Sequence, residues 1–205
     1  MILLAAAPAA ADSILYQGTF SQDNQVQEFL FTIASPSTVT LETYGFAGGT
    51  VGSTTVPGGG FDPTLVLFLP PTNDTFFSTP CGGAAVPDSN GFCEDAYLQK
   101  ALLPGTYYVA LMVNDNGPNG GPTDPFLQDL FPGFTCQEAG GLPGSFCDIA
   151  SGYGEPRSGQ WALTIDGVDS SVETPEPGAI SLAGIGMALA AFLARRREVR
   201  NRRIA

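Results

Sequence analysis

Histidine does not occur anywhere in the 205 residues. Its absence removes Ser-His-Asp and Cys-His nucleophilic catalysis and all histidine-ligated metal sites, because each needs an imidazole as base or ligand. Positive charge is nearly as scarce. Six of the eight basic residues (Arg195, Arg196, Arg197, Arg200, Arg202 and Arg203) fall in the last eleven positions. Ahead of Arg195 only Lys100 and Arg157 stand against 19 of the 20 carboxylates, a formal charge of −17. Nucleic acid is excluded as a partner of that acidic part, since phosphate binding requires a basic footprint. An acidic surface suits solubility, cations or cationic polymers instead. No C-x-x-C knuckle is present to hold zinc. Nothing around Lys100 forms an S-x-x-K motif.

Glycine (26) and proline (17) are abundant, together with Thr, Val and Phe. That composition favours short strands joined by turns, so the fold class expected is all-β, with one domain of moderate size plus accessory segments. The four cysteines fall into two close pairs, Cys81 with Cys93 and Cys136 with Cys147, separated by eleven and ten residues. Two local disulfides are expected. Each would contribute about 2–3 kcal/mol in the chain-entropy picture, and both require an oxidising compartment.

The two ends read as addresses. Residues 1–11, MILLAAAPAAA, are an apolar run closing on small residues. They resemble the back half of a signal peptide without its charged n-region. Gly178 to Ala194 holds seventeen residues without a charge, about 25 Å as a helix. That is enough for a single transmembrane helix in a thin bilayer. The arginine cluster behind it, residues 195–205, stays cytoplasmic by the positive-inside rule. Thr174-Pro175-Glu176-Pro177-Gly178, the apolar run and Arg195-Arg196-Arg197 resemble, in that order and spacing, the PEP-CTERM sorting signal of Gram-negative bacteria. The resemblance implies recognition by an exosortase, a membrane-embedded cysteine transpeptidase that cuts at or near Pro-Glu-Pro, in bacteria that make extracellular polysaccharide. Two prolines hold such a segment extended, as a protease handle requires.

Between the ends, residues 12–168, strand patterns recur. Ile14 to Phe20 opens the series. Val26 to Ile33 puts Phe29, Phe31 and Ile33 on one face, and Ser37 to Tyr44 does the same for Val39, Leu41 and Thr43; the three are expected to form a meander. Thr64 to Leu69 is apolar throughout, as in a strand buried on both faces, and Pro70-Pro71 ends it. Ala96 to Leu102 is shorter. Gly105 to Asn114 alternates Tyr107, Val109, Leu111 and Val113 against Tyr108, Ala110 and Met112, and is expected to be central. A Gly/Pro-rich insertion, Asp115 to Gln160, precedes a last strand, Gln160 to Asp166, with Trp161, Leu163 and Ile165 on one face. Seven or eight strands of this kind predict a jelly-roll-like β-sandwich. Residues 169–177 lack periodicity and read as an extended linker. Phe61-Asp62-Pro63-Thr64-Leu65, the acidic Glu94-Asp95-Ala96 and Leu103-Pro104-Gly105-Thr106-Tyr107-Tyr108-Val109 resemble the pre-peptidase C-terminal-like domains. Those are secreted, non-catalytic β-sandwiches, so the resemblance transfers no catalytic residue.

The remaining chemistry is that of carboxylates. Asp62, Asp74, Asp88, Glu94 and Asp95 are the residues open to paired-carboxylate catalysis. Hard cations take Asp, Asn and carbonyl oxygens, so calcium is the one cofactor considered. Two loops offer such ligands: Asp88, Asn90, Glu94 and Asp95 in one, Asn114, Asp115, Asn116, Asn119 and Asp124 in the other. Neither fits the EF-hand pattern, and these are also ordinary turn residues. Tyr44, Phe76, Phe77, Phe126, Phe131, Phe134 and Tyr153 lie in or beside loops, either as a glycan platform or as small satellite cores. The function expected is a structural or interaction protein of the cell surface or extracellular matrix. A polysaccharide- or calcium-binding module comes second and a secreted hydrolase third.

Overall fold

The computed structural model describes residues 13–71, 74–114, 116–119, 146–147 and 156–174. All regular structure among them is strand. In chain order the strands are β1 (Ile14–Thr19), β2 (Val26–Ile33), β3 (Ser37–Thr43), β4 (Gly49–Val51), β5 (Thr54–Val56), β6 (Pro63–Leu69), β7 (Asp74–Phe77), β8 (Thr79–Pro80), β9 (Ala96–Leu102), β10 (Gly105–Val113), β11 (Phe146–Cys147), β12 (Pro156–Arg157), β13 (Gln160–Asp166) and β14 (Ser170–Thr174).

Two five-stranded sheets are formed, in the orders β1-β13-β3-β9-β8 and β14-β2-β10-β6-β7. The principal pairings are nested and antiparallel: β1 with β13, β2 with β10, β3 with β9, and β6 with β7. This is one long hairpin, with arms β1-β2-β3-β6 and β7-β9-β10-β13, rolled so that its two halves face each other. Such pairing belongs to a jelly roll. The meander expected of β1, β2 and β3 does not form, because successive strands change sheet. Alternating burial shows that a strand has an inward face but not which neighbour it takes. The connection from β2 to β3, Ala34 to Pro36, is three residues long; it can reach across the ~10 Å between packed sheets.

The inward faces are those the alternation marks. Phe29, Phe31, Val39, Leu41, Leu65, Leu67, Val109, Leu111, Leu163 and Ile165 are all fully buried in one cluster drawn from both sheets. β10 lies between β2 and β6 at the centre of its sheet. β6 is buried on both faces, with Val66 and Phe68 joining Ala110 and Met112 in a second cluster. One end of the sandwich is aromatic. Phe61 stacks between Phe20 and Phe146 at 5.3 and 5.5 Å, and Trp161 meets the Phe29 ring edge-on at 5.9 Å. Gly18 sits opposite Trp161 in the ladder, and a β-carbon there would fall 2.3 Å from the indole. The ring therefore lies over bare backbone. Tyr107 donates its hydroxyl to the Leu103 carbonyl at 2.8 Å, tying the Leu103-Pro104-Gly105 turn to β10.

The linker expected from residue 169 onwards is not a free one. Gly167, at φ +80°, turns the chain from the first sheet to the second. Val168 is buried in the core, and Ser170–Thr174 then lie along β2 as the edge strand β14.

Candidate functional site

The Cys81–Cys93 disulfide is present, and closes a loop over the β3/β9 side of the first sheet. Two carboxylates of the sequence-predicted calcium set are placed by this loop and its exit, and they point in different directions. Asp88 turns back on its own loop: one oxygen accepts from the Asn90 and Phe92 amides at 2.8 and 3.0 Å. The other accepts from Arg157 Nη2 at 2.8 Å. Desolvation pushes the Asp88 carboxyl up, but the Arg157 guanidinium and the two amides outweigh it and hold it below the usual carboxylate range. Arg157 in turn lies over the Phe46 ring, 3.8 Å from its centroid.

Asp95 faces inward and is 1% exposed. It accepts from Thr43 Oγ1 at 2.9 Å and from the Phe46 and Ala47 amides at 3.1 and 3.0 Å. Burial pushes this carboxyl above its ordinary value, against the pull of those three donors and with a further push from Glu42. Glu42, also buried, accepts from the Tyr44 hydroxyl at 2.8 Å and from the Ala84 amide at 2.5 Å. Burial and that neighbouring carboxylate raise the Tyr44 hydroxyl beyond the ordinary phenol range.

Asp88 and Asp95, two of the four predicted ligands in this loop, are thus each engaged by partners of their own. Among the described residues no three acidic or cysteine side chains converge as a metal site. In the other predicted loop, Asn114 spends its side chain on Asp62 and Thr64, at 2.9 and 3.0 Å. Asp115, Asp124, Cys136 and the aromatics Phe126, Phe131, Phe134 and Tyr153 lie outside the described residues, as does the side chain of Cys147. The sequence patterns give Arg157 no role. Its one available signal is scarcity: one of only two cations ahead of Arg195, it has many carboxylates to meet. Lys100, the other such cation, lies 3.4 Å from the Phe76 ring centroid. Phe76 and Phe77 are exposed on the edge strand β7.

Two clefts flank this region. One of about 360 Å³ opens beside the Asp88–Arg157 pair and is floored by Gly58 and Gly59. The other, about 300 Å³, lies where β1 meets β13 and is lined by Gln17, Thr19, Gln160 and Trp161 without a charged group. The indole Nε1 of Trp161 is buried without a hydrogen-bond partner. It therefore offers this cleft no donor.

The C-terminal edge is held by polar contacts of another kind. Asp169 donates its amide to the Thr32 carbonyl at 3.0 Å, and its carboxylate accepts from the Ala34 amide at 2.5 Å. Ser170 Oγ meets Thr32 Oγ1 at 2.7 Å, and Ser171 Oγ meets the Tyr16 hydroxyl at 2.7 Å. β14 ends at Thr174, and Pro175 follows directly. The PEP-CTERM protein-sorting motif family matches residues 173–197. The chain carries a PEP-CTERM sorting motif. The motif implies export and sorting through exosortase to the cell surface of a Gram-negative bacterium. The matched span takes in Pro175, Glu176 and Pro177, the apolar run and Arg195, Arg196 and Arg197. Those residues, the expected membrane helix 178–194 and the signal-like residues 1–11 all lie outside the described ones. Comparison with curated proteins returns no match. The likeness of the body to pre-peptidase C-terminal-like domains therefore rests on its short sequence motifs alone.

Proposed function

We propose that this protein is a non-catalytic β-sandwich module of the cell surface or extracellular matrix, carried there by a temporary membrane tether. The observation behind this reading is the sorting motif at 173–197, which begins in the last strand of a sandwich domain and runs on from it. Support for a non-catalytic role comes from the chemistry available. The chain has no histidine, and the most buried carboxylate among the described residues, Asp95, is occupied by Thr43 and two backbone amides. The two cations of the acidic body each lie over a phenylalanine ring, and the strongly negative charge ahead of Arg195 suits a hydrated polymer matrix.

The test is delivery. In a host with the matching exosortase, the full chain is expected to reach the surface or medium without its arginine-rich end, as read by mass spectrometry of the C-terminus. The variant with Pro175, Glu176 and Pro177 all changed to Ala is expected to stay in the inner-membrane fraction with that end intact. Equal delivery of both chains would overturn the reading.

A further inference from the structure

β14 shares with the edge strands β1 and β7 the lack of any buried residue, and unlike β1, whose Ile14 and Tyr16 pack against the core, it adds no side chain to that core. No residue in it is buried, and its one apolar side chain, Val172, is 55% exposed. What fixes it is backbone pairing to β2 and polar side-chain contacts: Ser170 with Thr32 and Ser171 with Tyr16. Immediately before it, Val168 is buried in the core, so the last apolar anchor of the body precedes the strand. Segments that bury little apolar surface and are held mainly by backbone pairing and surface hydrogen bonds open locally at low cost, well below that of global unfolding.

The sorting signal begins inside this strand. The matched motif starts at Glu173, so Glu173 and Thr174 belong both to β14 and to the signal. An enzyme cleft takes a peptide in extended form through its main-chain groups, and along β14 one edge of those groups is already spent on β2. Reach adds a second constraint. With β14 docked, four residue steps separate Thr174 from Gly178, where the apolar run begins; that is at most ~14 Å of extended chain. The headgroup layer alone takes up roughly 5–7 Å of it. With β14 released as far as Asp169, nine steps are available, or ~32 Å.

We propose that β14 is a detachable strand, and that it must leave β2 before the membrane transpeptidase can take up the Pro-Glu-Pro segment. This rests on the reading above that the tag is a membrane-inserted cleavage handle. Detachment withdraws no buried side chain of the strand itself, and Val168 keeps its place in the core. The docked strand would withhold Glu173 and Thr174, the first residues of the matched motif, until a transpeptidase captures the open form, and after cleavage it would close again as the C-terminal edge of the mature protein.

The experiment locks the strand. Thr32 and Ser170 touch across β2 and β14, and a T32C/S170C variant of the full chain, oxidised in the periplasm, joins them covalently; peptide mapping verifies the pairing. A second chain carries the same lock plus an eight-residue Gly-Ser insertion between Thr174 and Pro175. Tag removal is followed by pulse-chase in the host that processes the unmodified chain. Removal is expected to slow at least tenfold in the locked chain and to recover in the locked chain with the insertion. Removal from the locked chain at the unmodified rate would overturn the proposal, and so would failure of the insertion to restore it. An unmodified chain that keeps its tag would instead sink the underlying reading, which separates that failure from a failure of β14 alone.

Discussion

β13 and β14 follow each other in the chain and are held by different physics. β13 lies between β1 and β3, and Trp161 to Ile165 are all buried. β14, three residues later, is an edge strand with every side chain partly or fully open to water. The turn at Gly167 therefore separates the part of the chain that makes the fold from the part that addresses it. A segment that must be handed to another enzyme cannot also be a keystone of the core. The largest expected effect tests this division. Leu163→Ala removes a fully buried side chain in β13 and is expected to cost about 2–5 kcal/mol. Val172→Ala in β14 is expected to stay within about 0.5 kcal/mol of the unmodified chain. Urea unfolding of both variants is the measurement, and comparable losses would erase the contrast.

A second test asks whether polar groups in the fold-making part are as indispensable as its apolar ones. Asp95 is the only acceptor shown for the Phe46 and Ala47 amides, and it positions Thr43, whose hydroxyl accepts from the Ala96 amide at 2.8 Å. Asp95→Ala leaves several buried donors without a partner, a loss of order 2–3 kcal/mol. The isosteric Asp95→Asn keeps one acceptor oxygen and should lose less. Its dependence on pH has a definite sign. Burial raises the folded-state pKa of Asp95 above the unfolded value. Its proton-linked stability is therefore complete below the unfolded value of about 3.9 and is lost as pH rises through the folded one. The unmodified chain should exceed Asp95→Asn by most in acid, with the gap narrowing as pH rises. A gap that widens instead would mean that the three donors, rather than burial, control this carboxyl.

Much of the division is legible in the amino-acid sequence. The inward faces of β2, β10 and β13 follow from alternation, and the doubly buried β6 from its unbroken apolar run, because burial leaves a side-chain periodicity. β14 leaves none. Ser170, Ser171, Glu173 and Thr174 pair through backbone groups and hydroxyls, so the segment reads as linker although it is strand. The exchange of sheets between β1, β2 and β3 is hidden for a related reason, since an inward face does not say which strand lies beside it. The carboxylates are the least legible. Asp88 meets Arg157 across 69 positions of sequence, and Asp95 meets backbone donors, which carry no residue signature at all. The sorting motif is legible in full, because a signal read by another enzyme is written in local sequence rather than in contacts.

The smallest expected effect lies at the border between the two regions. Asp88 is shielded to 9% side-chain exposure, but by its own surface loop rather than by the core. Its pair with Arg157 should therefore behave as a screened one. Asp88→Asn is expected to cost no more than about 1 kcal/mol near neutrality, and less in 1 M salt. The sign of its pH dependence is opposite to that of Asp95. Arg157 and the Asn90 and Phe92 amides hold the folded-state pKa below the unfolded value. The stability it contributes is complete above about pH 3.9 and is lost as pH falls through the folded value. The gap between the unmodified chain and Asp88→Asn should accordingly close in acid, where that of Asp95→Asn opens. Denaturant titrations between pH 3 and pH 7 at two salt concentrations measure both gaps together. If Asp88→Asn were instead as costly as Asp95→Ala, and indifferent to salt, the disulfide loop would belong with the core, and the boundary drawn at Gly167 would have to admit a second keystone on the first sheet.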